Sequence, residues 1–374
     1  MREAQLRHAK HYLEVLEDAN ILYLEPALEI AQRLGNFFEE SAALTNLGMV
    51  YRNLAQPQRA IEYYEQALTI DRAHGDRKGE GTDLCSLGSA YIMLGENESA
   101  IQYCEQALAI ARELGDRLGD NDALNNLGAV YAGMGENRRA LNFYDQVLEI
   151  ARAAGDKRGE ANALGNKAVA FKELGESQEA LALMQQQLEI VRRIGDRYNE
   201  GTILGNIGVI YSGWGEINKA IEFYQESLRI VRETNDRAGE TFTLGNLGVA
   251  YKRRGDTSAA LSCHLQQLDM AREIGEQHAE AAALGNLGVL HATQRETERA
   301  IGLFEQQLAL VRKLGIRRDE GITLWNLSLA FEKMGNLSKA IENAQAAWNI
   351  MREIDDPETH VVHEQIVKWE RRIG

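Results

Sequence analysis

Leu44-Thr45-Asn46-Leu47-Gly48-Met49-Val50-Tyr51, followed by Ala60-Ile61-Glu62-Tyr63-Tyr64-Glu65-Gln66-Ala67, is the stretch from which the fold can be read. Its pattern returns every forty residues without insertion or deletion. Leu44, Leu84, Leu124, Leu164, Leu204, Leu244, Leu284 and Leu324 stand in one register, and Ala60, Ala100, Ala140, Ala180, Ala220, Ala260, Ala300 and Ala340 in another. Tyr51, Tyr91, Tyr131, Phe171, Tyr211, Tyr251, His291 and Phe331 keep the same phase. A linker or a second domain would break it, so the chain reads as a repeat array.

Each repeat carries its own boundaries. Pro57 fits a first helical turn, where its missing N–H costs nothing, and Gly75 fits a left-handed stop. Asp76 then offers an N-cap oxygen to the next helix, while Gly95, Gly135, Gly175, Gly215, Gly255 and Gly335 mark the turn inside the repeat. Two antiparallel helices per repeat follow, so the expected fold is all-α, an α-solenoid superhelix of antiparallel helix pairs. Residues 1–38, with the fragment Pro26-Ala-Leu-Glu-Ile-Ala, read as a divergent N-terminal capping unit, 39–356 as eight repeats, and 357–374 as a C-terminal capping helix.

The pattern Leu44-x-x-Leu47-Gly48-x-x-Tyr51 with Ala60-x-x-x-Tyr64-x-x-Ala67 resembles the tetratricopeptide repeat, with Leu where that family often has Trp and without its closing Pro. The likeness covers nearly the whole chain. The forty-residue form, with Asn-Leu-Gly on the first helix and Gly-Asp after the second, is similar to LGN/Pins-type spindle-orientation adaptors, kinesin light chains and repeat regions of bacterial signalling ATPases. The resemblance implies a scaffold that binds proteins or peptides; it does not imply which ones.

At about 100° per residue, Leu44, Leu47, Gly48 and Tyr51 face the second helix, with Gly48 expected opposite the small Ala60. Ala43 and Val50 flank that stripe and are expected against the neighbouring repeat. Ala42, Asn46, Met49 and Asn53 lie on the opposite arc, which lines the concave channel in the family's superhelix. One position of that arc is nearly constant: Asn46, Ser86, Asn126, Asn166, Asn206, Asn246, Asn286 and Asn326. A carboxamide supplies a donor and an acceptor together, so a row of them can hold an extended peptide backbone. Val169, Val209, Val249 and Val289, beside Gly165, Gly205, Gly245 and Gly285, would make the trough apolar and shallow-floored. Lys172, Lys252 and Arg253 could steer an acidic partner. A structural alternative stands beside each reading: Asn bonding to the next first helix, ordinary exposed valines, and a solvated charged face. The series Arg72 to Arg352 is read as structural, each cation complementing a helix C-terminus.

Composition excludes other classes. The 374 residues are 44% apolar and 26% charged with only 3 prolines, which excludes disorder and favours helix. The net charge of -15 argues against a nucleic-acid partner. Cys85, Cys104 and Cys263 form no metal or disulfide pattern, no run is long enough to span a membrane, and the N-terminus has no apolar leader, so a cytoplasmic location is expected. No phosphate loop, HExxH or GxSxG occurs, so neither enzymatic activity, a cofactor nor a metal is expected. His360-Val-Val-His363-Glu364 reads as part of a polar capping helix. Trp325 is open between stacking on a ligand and closing the groove end. The expected function is a protein- or peptide-binding module. A sensor region of a larger signalling ATPase, a peptide-pheromone receptor and a self-associating scaffold stay open as alternatives, as does the oligomeric state.

Overall fold

The computed structural model describes residues 23–373. Every regular element among them is a helix. Residues 23–34 are helical, and the chain divides into two compact units, residues 1–196 and 197–374. Most of the segment read as an N-terminal cap, residues 1–22, lies outside the described residues.

In the N-terminal unit the helices run α1 (Phe37–Asn53), α2 (Pro57–His74), α3 (Arg77–Leu94), α4 (Asn97–Leu114), α5 (Arg117–Gly133), α6 (Asn137–Ala154), α7 (Lys157–Glu173) and α8 (Ser177–Ile194). The C-terminal unit continues with α9 (Arg197–Gly213), α10 (Ile217–Glu233), α11 (Arg237–Arg254), α12 (Thr257–Ile274), α13 (Gln277–Thr293), α14 (Thr297–Leu314), α15 (Arg317–Lys333), α16 (Leu337–Glu353) and α17 (Thr359–Ile373). Within each unit, consecutive helices pack on one another, and odd-numbered helices also touch the next odd one, α1 on α3 and α11 on α13. Each unit is therefore an α-solenoid.

The local signals act as read. Asp76, Asp116, Asp156 and Asp236 cap α3, α5, α7 and α11 by accepting from the backbone N–H three residues on, and Gly75 ends α2 at φ 74°. The Leu44-to-Leu324 register is buried throughout, and all eight alanines of the Ala60 register are fully buried. One packing expectation changes. A Cβ on Gly48 would lie 2.5 Å from the Tyr64 ring, and on Gly128 2.4 Å from Tyr144. These glycines make room for a ring one turn beyond Ala60 rather than for a close approach to Ala60 itself. The ring or its substitute (Tyr64, Cys104, Tyr144, Tyr224, His264, Phe304) then fills the helix-pair interface.

The C-terminal unit closes on α17, which buries Val362, Ile366 and Trp369 against Leu324, Ala344, Ile350 and Met351. Trp369 Nε1 donates to Glu332 at 2.8 Å. Trp325 turns toward Trp369, ring centroids 6.1 Å apart, which places it at the end of the stack. His363 stacks on Trp348, and His360 Nδ1 lies 2.9 Å from the Pro357 carbonyl oxygen. Among the described residues no group of three or more His, Cys, Asp or Glu side chains could hold a metal, and no helix is long and apolar enough to cross a membrane.

Candidate functional site

The odd helices present the face opposite the leucine stripe. Positions equivalent to Ala42 (Thr82, Asp122, Asn162, Thr202, Phe242, Ala282, Ile322) are exposed in every repeat. The Asn row runs beside them: Asn46 is exposed, and Asn126, Asn166, Asn206, Asn246, Asn286 and Asn326 are half-buried.

In the C-terminal unit this face holds three consecutive clefts of about 370, 450 and 250 Å³. Phe242 is shared by the first and second, and Ala282 and Asn286 by the second and third, so the clefts form one run along α9 to α15. Asn206, Asn246, Asn286 and Asn326 all line it, together with Val249 and Val289. Val209 is half-buried and packs on the cluster around Tyr224 and Leu247 instead. Tyr198, Phe242 and Ile322 add exposed apolar surface that the reading of the valines missed. The helical arithmetic contained the signal, since Phe242 and Ile322 occupy the Ala42 position.

In the N-terminal unit the row is engaged differently. Asn126 Nδ2 donates to the Cys85 carbonyl and lies 3.3 Å from its Sγ, and Asn166 Nδ2 donates to Asn125 Oδ1 at 2.9 Å. Both bonds reach a neighbouring odd helix, the preceding one rather than the next. Among the described residues of the C-terminal unit, the side-chain amides of Asn206, Asn246, Asn286 and Asn326 make no hydrogen bond. A cleft of about 380 Å³ lies beside Cys85 and Asn126, walled by Met49, Arg52, Leu114 and Leu118. Burial, aided by Asp122, pushes the Cys85 thiol up to about 12, so it is not a nucleophile at neutral pH.

The floor of the groove comes from the even helices, and its residues were not singled out in the sequence. Where the odd helix has Gly165, Gly245 or Gly285, the even helix supplies Gln187, Gln267 or Gln307, whose Nε2 lies 2.5–2.6 Å from the place a Cβ would take. Gly205 instead faces Ser227. Where the odd position is larger (Thr45, Cys85, Asn125, Trp325), the even one is Ala67, Ala107, Val147 or Ala347. The glycines are windows filled from behind. This reciprocal size pattern, visible between positions 22 residues apart, could have revealed them.

Of the basic residues, Lys172 and Lys252 are exposed at the C-termini of α7 and α11. Arg253 donates to the Ser212 carbonyl at 2.7 Å and lies 3.1 Å from its Oγ. The arginine series is structural through paired carboxylates: Arg72–Glu80, Arg152–Glu160, Arg232–Glu240 and Arg312–Glu320 close the turns between repeats at 2.7–2.9 Å.

A family model described as tetratricopeptide repeat matches residues 23–73, 81–153, 159–233, 240–313 and 280–353. No curated protein sequence matches the chain. Among solved structures, the chain is similar to a signal transduction ATPase with numerous domains bearing a tetratricopeptide repeat sensor, from Pyrococcus horikoshii. Identity is 17%, coverage 94% of this chain and 55% of that one, and the TM-score 0.70. The apo quorum sensor NprR from B. thuringiensis is similar at 15% identity, with 94% and 97% coverage and a TM-score of 0.62. BtubC from P. vanneervenii is 21% identical over 59% of this chain and 92% of that one, with a TM-score of 0.53. At these identities the likeness shows the fold.

Proposed function

The chain belongs to the tetratricopeptide repeat family, and on that premise we propose that it is a binding module that holds an extended protein or peptide segment against its odd-helix face. One observation carries this reading: the run of clefts in the C-terminal unit, where Asn206, Asn246, Asn286 and Asn326 keep their amides free of internal bonds beside Phe242, Val249 and Ile322. Such amides can pair with backbone N–H and C=O groups of any sequence, and the apolar surface between them adds affinity. Asn126 and Asn166 already spend donor capacity on their neighbours, which reduces their share in holding a partner. Lys172 and Lys252 would steer an acidic side chain. Arg253 is anchored on Ser212, which makes Lys252→Glu the cleaner probe.

Asn206→Ala combined with Asn246→Ala tests the ladder against a partner obtained by pull-down and mass spectrometry. Each lost hydrogen bond is worth about 0.5–1.5 kcal/mol, so calorimetry should show affinity falling from several-fold to over a hundredfold with an unchanged melting temperature. Unchanged affinity would move the partner off this face. Lost binding with a large drop in melting temperature would assign the ladder to packing.

A second reading, the sensor region of a larger signalling ATPase, is favoured by the likeness to the Pyrococcus protein, whose chain extends well beyond the matched part. The likeness to a quorum sensor favours a peptide-receptor reading in the same way. The genomic neighbourhood of the coding sequence separates the two.

A further inference from the structure

The three clefts of the C-terminal unit differ in what their floors require of an occupant. In the first, Ser227 is fully buried and its hydroxyl is already used, donating to the Gly201 carbonyl at 2.8 Å beside Thr243 Oγ1 at 3.2 Å. Nothing polar on that floor needs a partner. Its short side chain under Gly205 leaves depth, and the walls are the Tyr198 and Phe242 rings and Val231. The second cleft has the Gln267 carboxamide as its floor, with Oε1 3.0 Å from His264 Nδ1. The third has Gln307, which is 8% exposed, fills the Gly285 window and leaves Oε1 buried without a hydrogen bond. The sealed Oε1 is out of an occupant's reach, so the cleft is lined by the Nε2 edge of this carboxamide, which makes no internal hydrogen bond and favours an occupant that accepts one.

Resting on the groove reading above, we propose that these clefts read partner side chains in register: the Ser227 cleft takes a large apolar side chain of Leu or Phe size, and the Gln307 cleft takes a hydrogen-bonding one such as Asn, Gln, Ser or Thr. The spacing follows from helix packing. The Ser227 and Gln307 clefts are two repeats apart. Neighbouring odd helices lie about 10 Å apart and an extended chain advances about 3.4 Å per residue, so a span of about 20 Å separates the two side chains by about six residues. Ser227 is the specificity-determining residue, because the other filled windows of this unit carry Gln.

The test uses the full chain and a positional-scanning library of 12-residue peptides. Wild type should enrich peptides with a large apolar residue at one position by roughly tenfold, and with Asn, Gln, Ser or Thr about six residues away by roughly two- to tenfold. Ser227→Gln recreates the Gly245–Gln267 arrangement and should abolish the apolar preference alone. Phe242→Ala removes an exposed wall without touching the core and should do the same, which keeps the test valid if Ser227→Gln unfolds. Gln307→Leu should abolish the polar preference while leaving the melting temperature equal or higher, an outcome that a purely packing role would not give. Apolar preference that survives both Ser227→Gln and Phe242→Ala overturns the assignment. So does the absence of positional preference among peptides whose binding needs Asn206 and Asn246, and in that case the groove reading stands. No peptide binding to wild type overturns both.

Discussion

Asp83 on α3 is almost fully buried; the Thr45 hydroxyl donates to Oδ1 at 2.7 Å, and Asp71 on α2 faces it. Burial, and then the negative charges of Asp71 and Asp76, push its pKa up to about 8, so the carboxyl keeps its proton at neutral pH. In the unfolded chain it ionises near pH 4. The folded state therefore holds a proton that the unfolded state releases, and this contribution to stability is complete below about pH 4, falls as pH rises, and is gone above about pH 8. Urea denaturation of the protein should give a lower midpoint at pH 8 than at pH 5, and Asp83→Asn should flatten that slope. A flat native profile would show the pair ionised and hydrated. Leu204, fully buried on α9, gives the packing counterpart. Leu204→Ala should cost about 2–5 kcal/mol by far-UV circular dichroism, and a change within error would place Leu204 off the buried stripe.

Element boundaries show where local signals were obeyed and where packing overrode them. Most turns use glycine at positive φ, but Ala55 (φ 55°), Asn235 (φ 56°) and Arg295 (φ 66°) adopt the same left-handed conformation without it. An L side chain there costs roughly 1–2 kcal/mol, partly offset by the greater entropy glycine loses on folding, so Ala55→Gly should stabilise by up to about 1 kcal/mol and raise the melting temperature. Between α6 and α7, Glu160 is held by Lys157 at 2.7 Å and Arg152 at 2.9 Å, and these bonds lower its pKa. The cations are half exposed, so Glu160→Gln should cost less than about 1 kcal/mol. A depressed carboxylate stabilises above its unfolded pKa, so thermal melts of mutant and native protein should converge as pH falls below about 4.

At the scale of the whole molecule, stability in a helix-pair stack is nearly a sum of repeat and nearest-neighbour contributions. Trp369 is fully buried where α17 covers the last pair, and we propose that α17 acts as the C-terminal cap. Trp369→Ala should cost about 3–5 kcal/mol, with hydrogen exchange rising most in α15 to α17 and least in α9 and α10. Uniform loss of protection would mean that the C-terminal unit opens as one block. The forty-residue period, the Asp caps, the glycine stops and the buried Leu and Ala registers could all be read in the sequence, because each acts over one or two helical turns. The candidate face could be read as well, since helical phase follows from spacing alone, and that phase already placed Phe242 and Ile322 on it. The partners across helices were only hinted at, by the reciprocal sizes of positions 22 residues apart, and their geometry was not legible. The Arg72-to-Arg352 series was visible, but the pairing of Arg152 with Glu160 depends on how the chain turns between them, and the carboxamides of Gln267 and Gln307 reach the groove only because neighbouring helices bring them under Gly245 and Gly285. Tertiary structure alone decided which asparagines keep free amides. Asn166 finds a side-chain acceptor in Asn125 where Asn286 meets Gly245, but the Cys85 carbonyl that Asn126 uses has a backbone counterpart in Gly205, so Asn126 and Asn246 differ in the distance between helices. A hydrogen bond forms only within a few tenths of an ångström of its optimum, and that distance is set by packing between repeats rather than by the residue itself.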